Sequence, residues 1–391
     1  MRLLIHCTEF PPGPGGIGSQ AHALARYFFG KRWRVWVLAP QDHGSVDEIS
    51  RFNRAQDFEI QPIARREPAA VDGLARLIAV IRAIRRWRPK VVLASGSRAV
   101  WVAAMACGAA RVPWVGVAHG TELGGGRPWE GVLTRWSFGR AAAVVCVSRF
   151  TESLIRASLR GGRQQIVVIP NGAASEDFYP VSAEAAYEFR HRLGLGKAKI
   201  LLTVGSVTDR KGQDIVIRAM PEILKTCPEV HYVIIGLPEC RERFSRIAEE
   251  VGVSMHVHFA GPQPQENLRL AYNAADLLVM TSRKTRTGDV EGYGIAVIEG
   301  ALCGLPAVVS GDCGLAEAVV DGVTGLVVPQ EDPQATAQAV VRVLKDHSMR
   351  RNMAARARER AMRECTWEVR GREYEQLLRA LAEGAGGMEA P

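Results

Sequence analysis

Over most of its length the chain repeats one pattern: a short run rich in Val, Ile, Leu and Ala, then a stretch whose apolar residues recur at helical spacing. Strand-length runs fall at Leu3–Phe10, Arg34–Pro40, Phe58–Ile63, Val91–Ser95, Trp114–Ala118, Val144–Val147 and Ile166–Ile169, with helical stretches at about 72–88, 98–109, 129–140 and 149–159 between the later ones. Runs apolar on both sides mark strands buried on both faces, which is the situation of a parallel sheet covered by helices. The pattern lapses into a polar, proline-containing connection around Asp177–Lys199 and then restarts at Ile200–Val204, continuing through Tyr232–Gly236, Val257–Ala260, Leu277–Met280, Pro306–Ser310 and Gly325–Val328. Two doubly wound α/β domains facing a cleft are therefore expected, with ligands at the carboxyl ends of the strands.

Length agrees: 391 residues exceed one ordinary core and suit two domains of roughly 170 to 200 residues. An apolar fraction of 47% with 23% charged residues is that of an ordinary globular chain. No apolar run reaches the length of about 18 residues that a membrane span needs. The first residues enter an apolar strand without a charged leader and cleavage site, so a cytoplasmic protein is expected. Eight cysteines form no C-x-x-C pair and no metal-type cluster, which suits buried, reduced thiols. The net charge of +9 favours anionic partners. Nucleic acid is excluded from the reading because no recognition motif and no run of interleaved aromatics accompanies the basic residues.

The chemistry concentrates in Glu291 to Glu299, E-G-Y-G-I-A-V-I-E. A helix starting near Gly294 or Ile295 would aim its unpaired backbone N–H groups at a phosphate beside Glu291, with Glu299 about one turn in. A carboxylate beside a phosphate site makes sense where the phosphate carries hydroxyl groups, as a nucleotide diphosphate sugar does at both ends. Gly205-Ser206-Val207-Thr208-Asp209-Arg210-Lys211-Gly212 follows a strand and opens a helix, placing two cations where a departing diphosphate gathers charge. His119 ends another strand, in Ala118-His119-Gly120. Gly13-Pro14-Gly15-Gly16-Ile17-Gly18 matches G-x-G-x-x-G between a strand and a helix, with Asp42 beyond the next strand. That match supports a competing reading, a nicotinamide- or flavin-dependent oxidoreductase. The prolines in the turn and the position of Asp42 past Pro40 speak against it.

Taken together, the Gly15-Gly16 loop, His119-Gly120, the Pro170-Asn171-Gly172 turn with Phe178 and Pro180 after it, Arg210-Lys211-Gly212, and Glu291 to Glu299 followed by Cys303-Gly304-Leu305-Pro306-Ala307-Val308 closely resemble the retaining glycosyltransferases of family 4. The resemblance implies the GT-B fold, two Rossmann-like domains at about 1–180 and 195–365, with a last helix at about 367–383 returning to the first. It implies catalytic roles for Glu291, Lys211, Arg210 and His119: Glu291 on the transferred sugar, Arg210 and Lys211 on the leaving group, His119 near the reacting carbon. It places Glu299 on the ribose, the backbone of Gly292, Tyr293, Gly294 and Ile295 around sugar and diphosphate, and Gly15 and Gly16 against the diphosphate. Many members carry an arginine where this chain has Ser206, so the clamp here has one cation fewer unless Arg210 substitutes.

The implied reaction moves a hexose, with retention, from GDP-mannose, UDP-hexose or UDP-GlcNAc to a hydroxyl of a glycan, lipid-linked or small-molecule acceptor. No D-x-D triplet occurs, and cations with a helix dipole can do the neutralising, so metal-independent transfer without a cofactor is expected. A non-catalytic nucleotide-sugar-binding protein is the other alternative. Leu74 to Arg88 reads as a basic amphipathic helix covering the sheet; its functional alternative is docking at the inner face of an anionic membrane.

Overall fold

The computed structural model describes all residues except Pro14, 125–127, 160–163 and 385–391. It divides into two compact units, Met1–Asn171 with the stretch from Trp367 onward, and Gly172–Thr366. The first unit contains β1 (Arg2–Cys7), α1 (Gly16–Gly30), β2 (Arg34–Ala39), α2 (Val46–Arg54), β3 (Glu59–Pro62), α3 (Ala69–Trp87), β4 (Val91–Ser95), α4 (Ser97–Ala110), β5 (Trp114–Ala118), α5 (Pro128–Phe138), β6 (Ala143–Cys146), α6 (Arg149–Ser158) and β7 (Gln165–Val168). The second contains α7 (Ala183–Arg192), β8 (Lys199–Val204), α8 (Gln213–Thr226), β9 (Val230–Ile235), α9 (Arg241–Glu250), β10 (Val257–Gly261), α10 (Gln265–Ala274), β11 (Leu277–Met280), α11 (Ile295–Leu302), β12 (Ala307–Ser310), β13 (Gly325–Val328), α12 (Pro333–Lys345) and α13 (His347–Glu364). The last helix, α14 (Trp367–Gly384), belongs to the first unit.

Each unit is built on one parallel sheet. The first has strand order β3-β2-β1-β4-β5-β6-β7 and the second β10-β9-β8-β11-β12-β13. Each order reverses once, between β1 and β4 and between β8 and β11, and the crevice beyond the carboxyl ends of those strands is where such sheets bind ligands. β1, β4 and β5 are buried along nearly their whole length, as are β8, β9 and β11. Burying each Val, Leu or Ile contributes about 1.5–3 kcal/mol, so the strands that carry the loops at these crevices are the least able to shift.

α14 packs on α1: the Tyr27 hydroxyl donates to Glu375 at 3.1 Å and Trp33 Nε1 to the same carboxylate at 3.3 Å. α2 is the element that periodicity did not announce. It buries no residue, and its start is set by a capping box in which Ser45 and Glu48 exchange hydrogen bonds with each other's backbone N–H. The eight cysteines are all free thiols, seven of them buried. No described helix is long and apolar enough to cross a membrane.

Candidate active site

In the second unit the loops after β8 and β11 bring Arg210, Lys211 and Glu291 together. Arg210 Nη1 lies 2.5 Å and Lys211 Nζ 2.7 Å from the same Glu291 carboxylate oxygen, and Ser282 Oγ donates to it at 3.3 Å. Burial opposes the charge on Glu291, but the two cations outweigh it and hold its carboxyl at about 2. Asp289, two residues earlier, takes the other side of the Arg210 guanidinium at 3.1 Å, so Arg210 is gripped by two carboxylates. Arg283 ties the two loops: its backbone N–H donates to the Arg210 carbonyl at 2.8 Å, and its guanidinium to the Asp209 carbonyl at 2.8 Å and to Asp214.

α11 starts where the sequence places it. Gly294 caps it at φ 91°, a backbone shape that L side chains avoid, and a Cβ there would collide with Leu315. Gly212, which opens α8, is likewise left-handed at φ 66° and lies against the Thr281 carbonyl, with no room for a Cβ. Gly292, Tyr293 and Gly294 are buried and Ile295 half-buried. Ser206 sits on the loop after β8, its carbonyl accepting from Gln213 Nε2 at 3.0 Å. Glu299 lies just past the first turn of α11 and accepts from the Tyr272 hydroxyl at 2.7 Å. Burial pushes the Glu299 carboxyl up to about 7, against the pull of that hydrogen bond. Phe178 packs edge-on against Tyr272 at 5.7 Å between ring centres. The second crevice thus holds two carboxylates of opposite character on one short segment, one locked ionised by cations and one poised to titrate near neutrality.

In the first unit His119 directly follows β5. Its Nε2 lies 2.8 Å from Ser95 Oγ at the end of β4, and its backbone N–H donates to the Glu122 carboxylate at 2.9 Å. Ser95 Oγ donates to Gln20 Oε1 at 3.1 Å. Gln20 Nε2 then donates to Asn171 Oδ1 at 2.7 Å and to the Tyr374 hydroxyl at 3.2 Å. Because the Ser95 hydroxyl hydrogen goes to Gln20, His119 Nε2 is the donor to Ser95 and Nδ1 carries the lone pair. Burial drops the imidazole to about 4, so it is neutral at physiological pH.

Gly15 caps α1, and Gly16 is its first residue. The N–H groups of Ile17 and Gly18 already donate to Glu9, at 3.0 and 3.1 Å. A dinucleotide pyrophosphate at that helix start would meet the Glu9 carboxylate, and Asp42 is paired with Arg65. The oxidoreductase reading of this loop therefore loses its two anchoring features; Pro14 of the loop lies outside the described residues. Among the described residues no group of three or more His, Cys, Asp or Glu side chains is placed to hold a metal ion.

Sequence reasoning missed Asp289, Ser282, Arg283, Tyr272, Ser95 and Gln20. None belongs to a motif, and most act on a partner from another element: Tyr272 on α10 reaches Glu299 on α11, and Gln20 on α1 reaches Ser95 at the end of β4. Asp289 alone left a signal, an acid two residues from Glu291.

The family model for glycosyl transferases group 1 matches residues 187–360, and that for glycosyltransferase family 4 matches residues 14–176. A GDP-mannose-dependent alpha-(1-6)-phosphatidylinositol monomannoside mannosyltransferase of Mycolicibacterium smegmatis is 31% identical over 385 residues, covering 96% of this chain and 98% of that protein. A GDP-mannose-dependent monoacylated alpha-(1-6)-phosphatidylinositol monomannoside mannosyltransferase of Corynebacterium glutamicum is 26% identical, covering 97% and 98%. In fold, the chain is similar to Anabaena HepE in complex with UDP and glucose, with a TM-score of 0.82 at 20% identity, covering 97% of this chain and all of that one. It is equally similar to sucrose-phosphate synthase from Thermosynechococcus elongatus, with a TM-score of 0.83 at 23% identity, covering 98% and 100%. A chain with these two sheets, these two loops and matches of that extent belongs to glycosyltransferase family 4 and is a nucleotide-sugar glycosyltransferase of the GT-B fold.

Proposed function

We propose that the chain transfers mannose from GDP-mannose, with retention and without a metal ion, to a hydroxyl of an inositol-phosphate-based glycolipid. The observation that carries this reading is the Glu291–Lys211–Arg210 cluster beside the start of α11, in a chain that matches a GDP-mannose-dependent mannosyltransferase from end to end. In the proposed complex the α11 N–H groups and Lys211 meet the diphosphate, whose charge displaces Glu291 as partner of the cations. Glu291 is then free to accept from mannose hydroxyls, while Glu299 accepts from the ribose. Stabilising charge on the departing GDP is the largest catalytic term available to these residues, and the cations with the helix start provide it where another enzyme would use a divalent ion.

For retention, the acceptor oxygen approaches the face from which GDP leaves. The C1–O bond to phosphate breaks, the new C1–O bond forms, and a phosphate oxygen takes the acceptor's proton. No protein nucleophile enters. His119 is assigned a hydrogen bond to the donor sugar through its unprotonated Nδ1, and Gly15 and Gly16 a backbone approach to the donor that requires the Glu9 carboxylate to leave the Ile17 and Gly18 N–H groups. The acceptor class rests on the names of the two mannosyltransferases, and the UDP-bound neighbour keeps a UDP-sugar as the donor alternative.

The test is turnover of GDP-mannose and of UDP-glucose with a phosphatidylinositol mannoside in excess EDTA, followed by proton NMR of the anomeric centre in the product. GDP-mannose should be consumed and the product should carry an α-mannosyl linkage. Turnover that needs added magnesium, or an inverted linkage, refutes the corresponding part.

A further inference from the structure

Donor binding as proposed takes away one of the two carboxylates that hold Arg210. Glu291 accepts from its Nη1 at 2.5 Å and Asp289 from its Nε at 3.1 Å, and among the described residues these two are the guanidinium's partners. When a diphosphate draws the cations and Glu291 turns to sugar hydroxyls, Nη1 loses its contact. An arginine side chain carries about 2 kcal/mol of rotamer entropy, so a guanidinium without a second tether spreads over several orientations.

Asp289 is placed to be that tether. Its backbone N–H donates to Thr285 Oγ1 at 3.0 Å and its carbonyl accepts from the Thr285 N–H at 2.9 Å, closing a loop that turns at Gly288 with φ 88°. The Gly288 N–H closes the loop a second time, on the Thr285 carbonyl at 3.0 Å. The same segment holds the other end of Arg210, because the Arg283 N–H donates to the Arg210 carbonyl at 2.8 Å. Asp289 also keeps an acceptor in reserve: its Oδ1 is shut away from solvent with no hydrogen-bond partner among the described residues. A buried acceptor left unmatched costs about 1–3 kcal/mol, so folding alone does not account for it. A guanidinium released by Glu291 can complete a two-bond fork on this carboxylate through Nε and Nη2, with Nη1 left for the phosphate.

We propose that Asp289 is the positioning residue of Arg210: when the diphosphate displaces Glu291, Asp289 stays on Nε and keeps the guanidinium aimed at the leaving phosphate. The proposal rests on the donor reading of this crevice and adds to it a residue that touches neither donor nor acceptor. A carboxylate beside a cation also cancels part of its charge. If cancellation were all that Asp289 did, removing its charge would tighten the grip on a diphosphate. Aiming and cancelling therefore predict opposite signs.

The experiment is a double-mutant cycle on the full chain, read by steady-state kinetics with GDP-mannose and a phosphatidylinositol mannoside and by calorimetric titration of GDP. Asp289→Asn keeps the side chain's shape and removes its charge. It should lower kcat about ten-fold, the scale of coupling within one ion-pair network, and leave KM for GDP-mannose nearly unchanged. It should weaken GDP by a similar factor, since GDP carries the charge of the leaving group. In the Arg210→Gln background the same substitution should change neither quantity. Thr285→Ala releases the Asp289 backbone and leaves every charge in place; it should act in the same direction and likewise have no effect without Arg210. Losses that persist in Arg210→Gln, a change confined to KM, or tighter GDP binding with kcat intact overturns the proposal. A wild type that turns over UDP-glucose and not GDP-mannose refutes the GDP-mannose reading alone; UDP-glucose and UDP then carry the cycle, because both donors leave a diphosphate. The titrations score the cycle whether or not either donor turns over.

Discussion

At the scale of single residues, the two motif carboxylates behave as opposites because of what touches them. Glu291 is held at about 2 by Lys211 and Arg210 against its burial, so its folded value lies below the ordinary 4.5. Its stabilising contribution is complete above 4.5 and disappears as pH falls toward 2; the shift corresponds to a contribution on the order of 3 kcal/mol at neutral pH. Glu291→Gln should therefore unfold more readily in urea at pH 7, and the gap to the wild type should close as the pH is lowered toward 3. Glu299 has the reverse sign, raised by burial to about 7. If it accepts from ribose as a carboxylate, GDP affinity must weaken as pH drops through neutrality. Calorimetric titrations between pH 6 and 8 should show that loss, displaced to higher pH in Tyr272→Phe and absent in Glu299→Gln. The Ser95 hydroxyl, as acceptor of His119 Nε2–H, fixes the neutral tautomer. Ser95→Ala should lower kcat about ten-fold, the order seen when a positioning partner of a site histidine is lost, with KM little changed. Nitrogen-15 spectra of the imidazole should then show a mixture of tautomers. The motif residues are legible as chemistry from the amino-acid sequence alone, because charge, glycine and spacing are written locally. Tyr272 and Ser95 are not, since their roles arise from elements that meet only after folding: α10 against α11 for Tyr272, β4 against the residue after β5 for Ser95.

At the scale of elements, the start of α11 is the feature on which both carboxylates depend. Gly294 is left-handed and pressed on Leu315, so Gly294→Ala forces a strained backbone and a collision. A loss of about 1–3 kcal/mol of stability is expected, with a larger loss of donor affinity as the N–H groups turn away; thermal unfolding with and without GDP measures both. This helix was legible because glycine, turn and apolar run coincide within nine residues. α2 was not, because it is short and its apolar side chains are few and at most half-buried, Phe52 against Phe10 among them; the Ser45–Glu48 capping box was the signal that marked its start. α3 was legible both as a helix and as a cover: Ile84 is in the core with Leu77, Ile81 and Trp87 packed against it, while Leu74 and Ile78 of the same spacing face outward.

At the scale of the whole molecule, the restart of the strand–helix alternation near residue 200 is visible because a buried parallel strand must be apolar on both faces, which no loop imitates for long. The point at which the chain leaves one unit for the other is not marked by composition; Asn171 and Trp367 are distinguished by their partners, such as Gln20, rather than by their type. The central claim is a division of labour within the second unit: Lys211 and the α11 start grip the diphosphate, Glu299 reads the ribose, and Glu291 reads the transferred sugar. Titration calorimetry of GDP and of GDP-mannose against the wild type, Lys211→Met, Glu299→Gln and Glu291→Gln tests it most directly. Lys211→Met should weaken both ligands about 100-fold, the order expected for a lost charged contact to phosphate. Glu299→Gln should weaken both equally, and Glu291→Gln should remove only the advantage of GDP-mannose over GDP. Equal binding of both ligands by all four proteins would contradict the assignment outright.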